Sequence, residues 1–234
     1  MLKKDLILKN PLRALEPETG PNASPSRMGL VIARRGVGKT AMLVQFALDS
    51  LLRGNRVLHV SIGQKLEKTK AWYEDLFEDL SRSYRLDHAG QVHDEIVRSR
   101  MIMTFKATAF SGPKLEERLN DLLYQDIFRP ECMVIDGYDF ESATRPQVQD
   151  LLDLTQAMSL HTWFSAVRHR EDPRTSELGV PVPCDQFEDL FNTILLLESE
   201  EKGIALRTLK DASSGAAGKR KLILDPSTFL VSQG

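Results

Sequence analysis

The chain has 234 residues, 41% of them hydrophobic, enough for one large α/β domain with a substantial core. Its 31 Lys and Arg nearly balance 33 Asp and Glu, so no global basic excess points to non-specific nucleic-acid binding. No apolar run approaches the ~20 residues of a membrane span, and two isolated cysteines, Cys132 and Cys184, exclude a disulfide framework or a zinc site.

Residues 1–27 contain Pro11, Pro17, Pro21 and Pro25 among Gly20, Asn22, Ser24 and Ser26. This composition predicts a mostly extended N-terminal arm. Leu2, Leu6, Ile7, Leu8, Leu12 and Leu15 give it apolar positions that dock either on the chain's own core or on a neighbouring subunit. The segment Met1-Leu2-Lys3-Lys4-Asp5 lacks the apolar core of a signal peptide, and a reducing cytoplasm is the expected compartment.

From residue 28 onward strands and helices alternate through one expected domain, 28–234. Met28–Ala33 is an apolar run that predicts a buried strand, and Ala41–Leu48 carries a helical pattern. Between them lies Ala33-Arg34-Arg35-Gly36-Val37-Gly38-Lys39-Thr40, a phosphate-binding loop in the context such a loop requires. Backbone amides of Arg35, Gly36, Val37, Gly38, Lys39, Thr40 and Ala41 are placed to wrap phosphate oxygens, and the following helix adds its positive end. Lys39 is the residue to bridge the β- and γ-phosphates, and the Thr40 hydroxyl is a Mg²⁺ ligand. The usual first glycine is Ala33, at a strand end where a small residue suffices.

Further strands are expected at 56–62, 101–105, 132–136, 161–167 and 193–198, and an antiparallel pair at 204–209 and 221–225. Helices are expected at 65–84, 89–98, from Ser111 through Ile127, at 146–159 and briefly at 185–191. The Ser213–Gly218 stretch reads as a flexible loop. Alternation of apolar strands with helices predicts a mainly parallel sheet covered on both faces, with a C-terminal antiparallel extension. Cys132-Met133-Val134-Ile135-Asp136 ends its strand on an acid. Asp136 suits a Walker B element that holds Mg²⁺ through its water shell, because ligands of open α/β sheets bind at strand carboxyl ends.

The order of these elements resembles the RecA/KaiC/DnaB group of P-loop ATPases over about residues 28–232. The resemblance implies a RecA-like fold, Mg-ATP as ligand or substrate, and a homo-oligomeric ring or filament working with a protein partner or with DNA. It also implies that strand 161–168 ends in a γ-phosphate-sensing polar residue, and that Lys210, in the stretch Leu209–Gly218, acts on the adjacent subunit's nucleotide. No guanine-specific N-K-x-D signature is present, which favours ATP.

The departures bear on catalysis. The group places a glutamate at the end of the second strand, where this chain has Gly63 and Gln64, and Gly137 follows the Walker B acid. Gln64 is the candidate to orient a water, as a glutamine does in some GTPases. Asp139 and Glu67 are nearby carboxylates without a positional match. Ala212 stands where the late hairpin's arginine is expected. Arg168, Arg170, Lys219 and Arg220 are substitutes by charge alone, each read first as a solvated loop residue. The expectation is a slow ATPase, with a non-hydrolysing switch or scaffold as the alternative and a recombinase- or helicase-like role as a second.

Overall fold

The structure is a computed structural model that describes residues 2–12, 27–169, 172–201, 203–211 and 221–232. The elements in chain order are α1 (Lys3–Lys9), β1 (Arg27–Ala33), α2 (Lys39–Leu52), β2 (Val57–Ile62), α3 (Leu66–Tyr84), α4 (Ala89–Ser99) and β3 (Arg100–Phe105). There follow α5 (Gly112–Tyr124), β4 (Cys132–Asp136), α6 (Arg145–Ala157), β5 (His161–Val167), β6 (Thr193–Glu200), β7 (Gly203–Lys210) and β8 (Lys221–Leu224).

The eight strands form one sheet in the order β3-β2-β4-β5-β1-β6-β7-β8. β3 through β6 in that order are parallel, while β7 and β8 run antiparallel at one edge. The central strands are apolar on both faces because helices cover both. Val31 and Ala33 pack with Phe46, Tyr73 and Leu195 on one side, and Leu30 and Ile32 with Leu58, Phe164 and Phe187 on the other. The helix α2 is buried along Ala41–Leu52, polar Gln45, Asp49 and Ser50 included. Local signals set the helix starts. The Ser111 hydroxyl caps α5 by accepting from Lys114 N, and Thr144 N donates to the Gln147 side chain across the first turn of α6.

The largest difference from the sequence reading has a physical cause. Residues 3–9 are helical rather than extended, because the prolines begin only at Pro11 and Lys3–Lys9 contains no breaker. Asp5 stabilises that start by accepting from Leu2 N at 3.0 Å, and Leu6, 2% exposed, docks α1 on the chain's own core. Arg27 already belongs to β1. The short helix expected at 185–191 is a 3₁₀ helix, Cys184–Leu190. The expected loop at 213–218 and the residues Arg170, Lys219 and Arg220 lie outside the described residues.

The topology fixes where a ligand fits. The crossover from β1 runs past β5 and β4 to β2, whereas the connection from β5 steps over β1 to β6. The two diverge above the carboxyl end of β1, which leaves a crevice there. Among the described residues, no helix is long and apolar enough to cross a membrane.

Candidate phosphate and cation site

The loop between β1 and α2 has the backbone its sequence requires. Ala33 closes β1, fully buried and in register with Val167 and Leu197, so the replaced glycine needs no unusual dihedral. Gly36 has φ +82° in open space, and Gly38 has φ +108° as the N-cap of α2. A side chain at either position would be strained. The first amides of α2 have no i−4 carbonyl to meet and point out of the helix N-terminus, the arrangement that receives anions. Arg34, Arg35 and Gly36 are exposed, while Val37, Gly38, Lys39 and Thr40 are half-buried and Ala41 is buried.

The Lys39 ammonium lies across the loop and donates to Arg34 O at 3.4 Å. Its pKa sits below the ordinary 10.5, chiefly through desolvation, opposed by the pull of Asp136 and reinforced by the Arg35 charge. A partly desolvated cation with one long hydrogen bond is poised to gain from an arriving phosphate.

Asp136, 4% exposed at the end of β4, is the focus of the site. Its Oδ2 accepts from Thr40 Oγ1 at 2.7 Å and from Gln64 Nε2 at 3.1 Å, and its Oδ1 accepts from Ser165 Oγ at 2.6 Å. Three residues, Thr40 at the start of α2, Gln64 just after β2 and Ser165 in β5, therefore meet the single carboxylate at the end of β4. Strand register explains this, since Ser61 pairs with Asp136 and Ile135 with Phe164, so the ends of β2, β4 and β5 are level. Thr40 Oγ1 and Asp136 Oδ2 are hydrogen-bonded at 2.7 Å, and an opening of a few tenths of an ångström would give the about 3.0 Å between neighbouring ligands of an octahedral ion with 2.1 Å bonds. The donor set, one hydroxyl and one carboxylate with phosphate and water to complete it, fits Mg²⁺. Among the described residues, no cluster of three His, Cys, Asp or Glu is arranged to hold a metal by protein ligands alone.

No protein-family model matches this chain, and no curated protein sequence matches it either.

The remaining candidates separate cleanly. Gln64 is brought to the site. Lys210, expected to act on an adjacent subunit's nucleotide, is held within its own chain, where its Nζ donates to Glu188 O at 2.8 Å and Asp189 O at 3.5 Å at the end of the 3₁₀ helix. Asp139 accepts from Glu141 N and Ser142 N in the turn after β4, and Glu67 pairs with Lys70 on the surface of α3. Neither joins the Asp136 cluster. Arg168 is better anchored than a solvated loop residue. Its backbone N donates to Ala33 O at 2.9 Å, and its side chain pairs with Glu198 at 3.5 Å, a carboxylate shared with Arg207. Arg34, Arg35, Arg168, His169 and Glu198 border a cavity of about 450 Å³ beside the loop between β1 and α2.

Two neighbours of the site escaped the sequence reading. Ser165 is a lone hydroxyl in the buried run Phe164–Ala166, and a polar residue there is the signal that could have flagged it. Phe229 packs against Gly38 from the far end of the chain, and nothing local in the sequence announces that contact.

Proposed function

We propose that this chain binds Mg-ATP at residues 33–41 and works as a divergent RecA-like P-loop protein with slow ATP turnover. The observation that carries this reading is the convergence of Lys39, Thr40 and Asp136 at the carboxyl ends of β1 and β4, with Thr40 and Asp136 in direct contact at 2.7 Å. The order of elements along the chain, a mostly parallel sheet and an antiparallel C-terminal edge support the RecA-like assignment.

The chemistry follows from the residues present. Loop amides, Lys39 and the end of α2 neutralise polyphosphate charge, and the Thr40 hydroxyl and the Asp136 carboxylate would hold Mg²⁺. The ion, when bound, withdraws charge from the transferred phosphoryl group. In-line attack needs an oriented water, and Gln64 is the side chain within reach of Asp136 that presents an amide for this task. An amide orients a water without taking its proton, which is why turnover is slow in this reading. The same fact favours a second one, a nucleotide-dependent switch or scaffold that scarcely hydrolyses, since Gln64 and Lys210 are both engaged within the chain.

Calorimetric titration with Mg-ATP tests the site. Lys39→Ala is expected to abolish binding or to weaken it severely, and unchanged affinity would refute the assignment. An ATPase assay on the same samples, with mass measured in the same run and with and without DNA, separates the two readings. Robust turnover that Asp136→Ala abolishes removes the switch.

A further inference from the structure

Phe229 sits in a seat that only glycine at position 38 allows. A β-carbon built on Gly38 would overlap the phenyl ring, 2.8 Å from Cε1. The ring is 5% exposed, packed in the same core cluster as Val37, and thus lies against the last turn of the phosphate loop. The Phe229 backbone has φ +55°, a left-handed conformation that is uncommon for an aromatic residue and persists only where surroundings enforce it.

The surroundings do enforce it. Asp225 Oδ1 accepts from Ser227 N, Ser227 Oγ, Thr228 N and Thr228 Oγ1, and Phe229 N donates to Asp225 O at 2.8 Å. Asp225 N donates in turn to Leu230 O. This knot is tied to the other end of the chain. Val231 N donates to Lys9 O at 3.4 Å, Lys9 Nζ stacks over the Tyr84 ring, and Tyr84 packs against the same core cluster as Phe229. The C-terminal turn, the end of α1 and the end of α3 thus form one packed unit whose contact with the loop is the Phe229 ring.

We infer that Phe229 is a positioning residue for the phosphate loop, and that through it the docked chain ends set the loop's affinity for nucleotide. The inference rests on the reading of residues 33–41 as an Mg-ATP site. Gly38 is both the seat of the ring and the N-cap that aims the first amides of α2, so a displaced ring lets Gly38 relax away from the dihedrals that present those amides.

The test uses the full chain, Mg-ATP titrations and thermal melts. Phe229→Ala is expected to weaken Mg-ATP binding about tenfold at a temperature where circular dichroism shows it folded, with part of the loss recovered in Phe229→Leu. Leu119→Ala, a core truncation on the opposite face of the sheet, is expected to lose comparable thermal stability while binding within about twofold of wild type. Asp225→Ala loosens the turn without emptying the core, and serves if Phe229→Ala does not fold. Its expected weakening is about threefold. Wild-type affinity in Phe229→Ala or, where that does not fold, in Asp225→Ala overturns the inference while leaving the site reading intact. Wild-type protein that fails to bind Mg-ATP, or that binds no better than Lys39→Ala, overturns the site reading and the inference with it.

Discussion

The Gln64 amide donates to Asp136 Oδ2 at 3.1 Å, so an uncharged side chain stands beside the carboxylate at the end of β4. The pair is neutral–anionic, so it is satisfied without a cation. Gln64→Glu would set two carboxylates about 3 Å apart, and one of them must then hold a proton or share a divalent ion. Two outcomes follow. The variant is less heat-stable than wild type without metal, and Mg²⁺ restores more stability to it than to wild type. Its ATP turnover rises above wild type, because a base now faces the attacking water. Melts across a Mg²⁺ series and a phosphate-release assay measure both. Turnover that stays at the wild-type level would place the attacking water elsewhere.

Ser165 donates to the other oxygen of the same carboxylate and also accepts from Gly137 N at 3.4 Å. Ser165→Ala strips one donor from a buried anion and is expected to cost about 1–3 kcal/mol of stability. It also frees Asp136 to rotate, so Mg-ATP binding weakens several-fold. A hydroxyl on the same strand serves as comparison. Thr162 bonds Thr155 at 3.1 Å near the opposite end of β5, and Thr162→Val is expected to lower stability alone, leaving Mg-ATP affinity unchanged. Denaturant midpoints and titrations on the two variants distinguish these effects.

The glycine loop at residues 33–40 and the strand-ending acid Asp136 stand out in the sequence because the chemistry proposed for them permits few residue types at fixed spacing. Alternating apolar runs revealed the strands for a similar reason, since a sheet covered on both faces cannot be built otherwise. What stayed hidden depends on distant contacts. The helix at Lys3–Lys9 was masked by the prolines just beyond it, and its stability comes from Leu6 docking on α2. Ser165 looks like an ordinary strand serine until the register of β4 against β5 brings it beside Asp136. Arg168 looks like loop charge until Glu198 appears on β6, across β1 from the end of β5.

Lys39 yields a prediction in pH. Its pKa in the free protein is lowered from 10.5, with desolvation the largest cause. A bound polyphosphate favours the charged amine and raises that pKa again. Binding therefore takes up a fraction of a proton in the window between the lowered value and the value in the complex. Affinity for Mg-ATP falls as pH rises through that window, and this residue adds no slope at lower pH. Titrations in buffers of different ionisation enthalpy measure the proton uptake directly. A Lys39→Arg variant, which keeps the positive charge but does not titrate in this range, should show none from this group, and equal uptake in both proteins would exclude Lys39 as its source.

His59 governs the acid side. It is fully buried in β2, its Nδ1 lies 3.0 Å from the Tyr73 hydroxyl, and its Nε2 meets no partner among the described residues. Burial pushes its pKa down to about 4, with Asp136 pulling the other way and the Arg100 charge adding to the depression. The ring is therefore neutral at pH 7. In the unfolded chain an ordinary histidine titrates near 6.5, so as pH falls below that value the unfolded state gains a proton that the folded state refuses. Stability is whole above about pH 6.5 and declines toward pH 4, by an amount on the order of 3 kcal/mol if no other group compensates. Urea midpoints should fall between pH 7 and pH 5, and the His59 ring resonances should stay at their neutral positions across that range. An imidazole signal that titrates near 6.5 in the folded protein would show that water reaches the ring, and the acid loss would then have to come from the carboxylates.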